Sequence, residues 1–262
     1  MIKNIGIIGA GSIGSHLAKL IYRNKLGHHI SIADKNMWKA RAQIIESGTT
    51  EEVIQSSSIL FLTVKPNNIK EVCLTIQNLN ISNKTIVSTA AGVPISKIKE
   101  WSNGHSGQHR VVRMMPNIPI SNGCGSIIWY TKDNVNRKVL DRLCDGPTSL
   151  WVNDEAMIDS ATAIFGCLPA YIAKYYEIYL KQALMMGFPA HEAKKMLTST
   201  FLGTSYLLDK LSGDEIITQV ASKGGATEKA LEVLTDDGFD TVIQKAINES
   251  LDRIKNITKN LD

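Results

Sequence analysis

The segment Ile5-Gly6-Ile7-Ile8-Gly9-Ala10-Gly11-Ser12-Ile13-Gly14 constrains the fold of this chain more than any other. Its apolar, β-branched start has the composition of a strand buried in a parallel sheet. After the glycines, Ile13, Leu17, Leu20 and Ile21 recur on one helical face. Strand, glycine turn and helix, in that order, give G-x-G-x-x-G its physical meaning. Gly9 makes the tight turn, Gly11 lets the backbone approach a pyrophosphate, and Gly14 lets the helix pack on the strand. The helix N-terminus offers unpaired N–H groups to the phosphates. A second apolar run, His29 to Ala33, ends in Asp34, twenty positions after Gly14. An acid there binds the adenosine ribose hydroxyls of a dinucleotide.

The type of dinucleotide stays open at this level. A carboxylate at Asp34 repels a 2′-phosphate and favours NAD(H). Lys35, Lys39 and Arg41 lie just beyond it and are placed either to neutralise the phosphate of NADP(H) or to form a solvated helix face.

The alternation continues through the N-terminal half. Glu51 to Gln55 reads as a short helix, and Ser58 to Val64 as a further buried strand ending at Lys65-Pro66. Pro66 holds Lys65 extended, so the chain leaves the strand without entering a helix at once. Ligands in open α/β sheets bind at the carboxyl ends of strands, which makes Lys65 a candidate beside the cofactor. Ile69 to Leu79 reads as helix, and Thr85 to Ser88 as strand, followed by Ala90-Ala91-Gly92, small enough to admit a flat ring. Arg110 to Arg113 is another strand, running into the stiff segment Met115-Pro116-Asn117-Ile118-Pro119, whose Asn117 amide is a candidate to meet a carboxamide or substrate. Ser126 to Tyr130 and Leu150 to Val152 complete a sheet. Alternating strands and helices predict a doubly wound α/β domain over residues 1–153.

From residue 154 to 262 the pattern becomes helical. Glu155 to Ile164 is one helix, and Pro169 is expected to break or kink the chain. Tyr171 to Met186 is apolar on most faces, with Lys174, Glu177 and Lys181 as a narrow polar stripe. Glu192 to Leu211 and the last helix, from Phe239 to Ile257, are also rich in apolar residues. A helix apolar on most faces must be covered on most faces. A second copy of the chain is the economical cover, so an obligate homodimer is expected. Between these helices lies Ala221-Ser222-Lys223-Gly224-Gly225-Ala226-Thr227. A two-glycine loop opening a helix is an anion-binding arrangement, suited to a carboxylate, or equally a plain helix cap.

Composition narrows the partners. A net charge of +4 with the basic residues dispersed predicts neither a nucleic-acid nor an anionic-membrane surface. No uninterrupted run reaches the roughly 18 apolar residues of a membrane span. Cys73, Cys124, Cys144 and Cys167 form no CxxC pair, as expected of a reduced, cytoplasmic protein. The histidines form no HxH or HxxxH pair, so no metal site is expected.

The ordered set GAGSIG, VKPNNI, STAAGV, VVRMMPNIP, LPAY and ASKGGATEKALEVL resembles the pyrroline-5-carboxylate reductase family across essentially the whole chain. The most specific signals are RxMPNxP and SxGGAT. The resemblance implies a Rossmann domain followed by an all-α dimerisation domain that intertwines with its twin. It also implies reduction of the cyclic imine 1-pyrroline-5-carboxylate to L-proline with NADPH or NADH. By motif, Gly9, Gly11, Ser12, Ile13 and Gly14 match the pyrophosphate loop. Val64, Lys65 and Pro66, with Ala90, Ala91 and Gly92, match the nicotinamide side, and Asn117 matches the MPN loop. Ser222, Gly224, Gly225, Ala226 and Thr227 match the substrate loop.

In that reading Thr227 is the catalytic candidate: its hydroxyl holds the imine nitrogen, while the Gly224 and Gly225 amides fix the substrate carboxylate. Catalysis is then mainly positioning. Several positions depart from the usual family pattern. Cys167 and Leu168 stand in a segment that usually reads SGSGPAY or SGSSPAY, Ile118 replaces Thr, and Lys223 replaces Pro. Thr50 also stands where Asn is common. These departures leave two alternatives open: a reductase of a different imine, or a dinucleotide-binding regulatory homologue without turnover.

Overall fold

The computed structural model describes residues 4–24, 29–41, 45–103 and 108–261. Eight strands form one sheet: β1 (Asn4–Ile8), β2 (His29–Ala33), β3 (Glu46–Ser47), β4 (Ile59–Leu62), β5 (Thr85–Ser88), β6 (Arg110–Pro116), β7 (Ser126–Tyr130) and β8 (Thr148–Trp151). Their spatial order is β3-β2-β1-β4-β5-β6-β7-β8. β1 to β6 run parallel, while β7 is antiparallel to β6 and parallel to β8. The chain crosses over between β1 and β4, which pair with Ile5 opposite Ile59 and Ile8 opposite Leu62. That reversal is the topological switch point, where a crevice opens beyond the strands' carboxyl ends.

The central strands are continuous apolar runs because both of their faces are covered. Side chains alternate between faces. Ile5, Ile7 and Phe61 join Leu17, Leu20 and Ile21 of α1 (Ser12–Arg23) in one core. Ile8, Leu60 and Leu62 join Val53 and Ile54 of α3 (Thr50–Ser56), Ile69, Val72 and Ile76 of α4 (Ile69–Asn78) and Ile98 of α5 (Ile95–Ser102) in the other. The short α2 (Met37–Arg41) follows β2, and α6 (Arg137–Leu143) connects β7 to β8. α3 starts in a reciprocal cap: Glu52 N–H donates to Thr49 Oγ1 at 3.2 Å, and Thr49 N–H donates to Glu52 Oε2 at 2.8 Å.

After the sheet come α7 (Ala156–Ala161), a π turn (Thr162–Gly166), α8 (Leu168–Met185), α9 (Ala190–Leu208), α10 (Gly213–Val220), α11 (Ala226–Asp236) and α12 (Phe239–Lys259). The expected break at Pro169 does not occur. The chain widens into the π turn, where Cys167 N–H donates to the Thr162 carbonyl at 3.1 Å, and Pro169 enters in the first turn of α8. A proline there lacks only an N–H that has no partner in a normal helix start. The absence of a break also makes Ala156–Met185 one helical stretch, long and apolar enough to cross a membrane by length and composition.

Contacts group residues up to Pro169 with those from Glu249 onward as one compact unit, and Ala170–Asn248 as a second. In the second unit, an aromatic cluster ties helices together: Tyr175 lies 6.1 Å and Tyr176 5.7 Å from Phe201, centroid to centroid. Among its described residues only Leu180 and Ala193 are buried. Met185, Met186, Val220 and Val242 are each more than 60% exposed.

Candidate active site

The glycine turn has a cradle's shape for reasons of space. Gly9 has φ +108°, and a Cβ there would lie 2.9 Å from the Thr63 backbone. A Cβ on Gly14 would lie 1.9 Å from the Gly9 carbonyl oxygen. Both glycines are thus required by close packing. Gly11 differs: a Cβ there would meet nothing, so the space before it is open. Thr63 fixes the turn from β4, its hydroxyl donating to the Gly9 carbonyl at 2.7 Å. α1 begins at Ser12 and Ile13 with no side-chain cap and no acid in its first turn. Its first N–H groups and dipole are therefore available to an anion. An open approach at Gly11 beside an uncapped helix start fits a dinucleotide pyrophosphate.

A cleft of about 420 Å³ lies at this point. Of the residues selected from sequence, Gly9, Gly11, Asp34, Lys35, Lys39, Thr50, Val64 and Lys65 line it. Pro66, Ala90, Ala91, Gly92 and Asn117 are not among its walls. Thr63, Glu51 and Glu71 are, and sequence reasoning passed over them. Asp34 Oδ2 accepts from Ala10 N–H at 2.7 Å and Oδ1 from Asn36 N–H at 2.8 Å. Lys35 is ion-paired with Glu71 at 2.6 Å. The Arg41 side chain lies outside the described residues. Lys65 is extended, and a 3₁₀ turn starts directly at Pro66, earlier than its sequence suggests.

Asn117 is nearly buried, and its amide is wholly engaged by the protein. Oδ1 accepts from Ser126 N–H at 3.1 Å, and Nδ2 donates to Ser126 Oγ at 3.1 Å and to the Phe165 carbonyl at 3.2 Å. The amide therefore braces the MPN loop against β7 and the π turn, rather than standing free to meet a carboxamide. Nearby, Arg113 is 2% exposed and forks between Glu155 (3.4 Å) and Asp159 (2.7 Å). Glu155 also accepts from Ile95 N–H at 2.8 Å.

The 222–227 segment belongs to the second unit. Gly225 caps α11, with Ala226 and Thr227 as its first residues. Gly224 has φ +73°, and its N–H donates to Glu228 Oε2 at 2.6 Å. Gly225 N–H donates to the Ser222 carbonyl at 2.9 Å. A Cβ on Gly225 would lie 2.5 Å from Ser222 Oγ. Both glycine amides expected to fix a substrate carboxylate are thus spent within the loop: Glu228 folds back one helical turn onto Gly224, and a tight turn gives the Gly225 N–H to the Ser222 carbonyl. The first-turn N–H groups of α11 remain without a side-chain cap.

Thiol chemistry finds no support in the core. Burial pushes the Cys73 thiol up to about 12, and burial with Asp141 nearby also raises Cys144, so both are protonated at neutral pH.

Fold and cleft together define a dinucleotide-binding α/β unit of the kind oxidoreductases use, followed by a helical unit. Residues 4–92 match the family model described as NADP oxidoreductase, coenzyme F420-dependent, and residues 155–257 match pyrroline-5-carboxylate reductase dimerisation. The pyrroline-5-carboxylate reductase of Pisum sativum is 26% identical over 97% of this chain and 96% of its own length. That of Pseudomonas aeruginosa is 28% identical over 83% and 80%. Among solved structures, a pyrroline-5-carboxylate reductase from Coxiella burnetii superposes with a TM-score of 0.81 at 25% identity, covering 98% of this chain and 99% of the other. The Plasmodium falciparum pyrroline carboxylate reductase with NADP bound shares the fold, at a TM-score of 0.86, 23% identity and 98% coverage of both chains. The chain is thus similar to pyrroline-5-carboxylate reductases along nearly its whole length, and its C-terminal part matches their dimerisation model.

Proposed function

We propose that this protein reduces 1-pyrroline-5-carboxylate to L-proline with NAD(P)H. The observation that carries the reading is the open, uncapped glycine cradle at the switch point, within a chain whose relatives named for this activity align along nearly its whole length. Bound NAD(P)H would supply the hydride that converts the protonated C=N at C5 of the imine to CH–NH.

The chain's own residues bind and align. Gly9, Gly11, Ser12, Ile13 and Gly14 hold the pyrophosphate, and Asp34, with Lys35 beside it, meets the ribose. Val64, Lys65 and Pro66, with Ala90, Ala91 and Gly92, flank the nicotinamide, while Asn117 serves by bracing its loop. Ser222, Ala226 and Thr227 receive the imine, with the Thr227 hydroxyl holding its nitrogen. Gly224 and Gly225 shape that loop, and Gly224 binds a carboxylate only when Glu228 releases it. A hydroxyl needs no shifted pKa to do this, in keeping with a reaction governed by positioning.

The functional seam falls near residue 153, just before the dimerisation match begins at 155. The working form is a homodimer whose apolar helices cover one another, including the long stretch from Ala156 to Met185. All four cysteines are free thiols, in keeping with a reducing cytoplasmic setting.

The test mixes purified protein with 1-pyrroline-5-carboxylate and NADH or NADPH and follows the nicotinamide absorbance. Oxidation yielding proline is expected. Tight dinucleotide binding without oxidation would remove the reading and leave a different imine, or no turnover, as alternatives. Thr227→Ala is expected to lower kcat roughly a hundredfold with cofactor affinity nearly unchanged; an unchanged kcat/KM removes the role of Thr227.

A further inference from the structure

The Ala90-Ala91-Gly92 loop is held from behind by the last turns of α12. Gly92 has φ +69°, and a Cβ there would lie 2.8 Å from the Ile254 carbonyl oxygen and 3.1 Å from Ile257. The helix backbone thus rests directly on this glycine. The Gly92 carbonyl then accepts from Thr258 Oγ1 at 2.8 Å, across 166 residues of sequence. Thr258 Oγ1 also lies 3.4 Å from the Ile254 carbonyl. A hydroxyl has one proton, and the shorter contact has first claim on it. Ile254 and Leu261 are buried, and Leu261 packs in the same core cluster as Ala90 and Val93. Just before the loop, Thr89 Oγ1 donates to the Leu62 carbonyl at 3.3 Å. The loop is therefore tied to both β4 and α12.

We propose that Thr258 is a positioning residue for hydride transfer: through the Gly92 carbonyl it fixes the loop against which the nicotinamide ring lies. The proposal rests on the nicotinamide-side assignment of Ala90 to Gly92 made above. Thr258 touches neither cofactor nor substrate in this scheme. It acts by holding a backbone segment that has a glycine's freedom and would otherwise use it. Hydride transfer is steep in donor–acceptor distance, and a displacement of about 1 Å can cost a hundredfold in rate.

The test compares wild type, Thr258→Val and Thr258→Ser in two independent readouts. The first needs no imine: affinity for NADH and the emission of bound NADH, which reports the surroundings of the ring. The second is kcat and KM for 1-pyrroline-5-carboxylate, with the primary isotope effect from C4-deuterated NADH. Thr258→Val is expected to keep NADH affinity within about threefold, change the bound emission, lower kcat roughly tenfold and raise the isotope effect on kcat. Thr258→Ser, which keeps the hydroxyl, should restore all of these. Thr258→Ala makes the same test should the valine variant fold poorly. A purely structural role would reduce the amount of active protein and leave emission and isotope effect per active site unchanged; that result overturns the proposal, as does a kcat within twofold of wild type. If wild type binds NADH but does not turn over 1-pyrroline-5-carboxylate, the substrate reading fails, and the emission arm alone decides Thr258.

Discussion

Asp34 shows how much a single residue's surroundings add to its identity. Both of its oxygens accept from backbone N–H groups, one in the glycine turn and one two residues downstream. These bonds hold the carboxylate in the cleft, where it would face a 2′-phosphate. The cation beside it, Lys35, is paired with Glu71. Near a protein surface, two like charges a few ångströms apart repel by several kcal/mol. NADH should therefore be preferred, and Asp34→Ser should move the ratio of kcat/KM for NADPH over NADH up by roughly tenfold. Steady-state kinetics with both cofactors check this, and an unmoved ratio removes Asp34 from the ribose site. The position of Asp34 was legible from its spacing after Gly14. Its rigidity was not, because that depends on which backbone amides β1 and β2 bring together. The same limit applies to Glu228: no pattern announces that a helix acid will fold back onto Gly224.

At the scale of elements, the strands were legible wherever burial on both faces forced continuous apolar runs, as in Ile5 to Ile8 and Ile59 to Leu62. β3 escaped notice because it is two polar residues, Glu46 and Ser47, paired only at the sheet edge. α10 carried a readable signal, Ser212 with Glu215 as a reciprocal cap, but its eight residues fall between segments the apolar spacing assigns. The π turn was beyond sequence patterning, since it depends on the carbonyl partners that neighbouring loops provide. Arg113 joins β6 to α7 just before that turn. Its guanidinium is buried between two carboxylates, so truncation leaves Glu155 and Asp159 facing each other without a counter-charge. Arg113→Met should lower unfolding stability by about 3 kcal/mol, whereas Asp159→Asn should cost clearly less because Glu155 remains. Urea denaturation of both variants checks the order. A loss below about 1 kcal/mol for Arg113→Met would show that the fork contributes little.

The whole molecule has an asymmetry of cover. The sheet unit buries its apolar residues in two cores, whereas the helical unit exposes many of its own. The sequence disclosed this imbalance, since a helix such as Tyr171 to Met186 carries only one narrow polar stripe. It did not disclose that residues from Glu249 onward pack with the sheet unit, because the apolar spacing of the last helix is uninterrupted from Phe239 to Ile257. Exposed apolar area on this scale marks an interface. Light scattering at low micromolar concentration should give at least twice the chain's 28.8 kDa, and a monomer there would contradict the homodimer.

The return of the last turns of α12 to the sheet also has a consequence for how the protein is made. A ribosome delivers the eight strands first, together with the glycine cradle, but Ile254, Thr258 and Leu261 emerge only after α7 to α11 have been made. Domains usually fold as units in the order of synthesis. Here the nucleotide-binding unit stays unfinished until the residues after 249 are out, with the 90–92 loop lacking its partners in α12. A fragment ending before residue 249 would leave that loop without them.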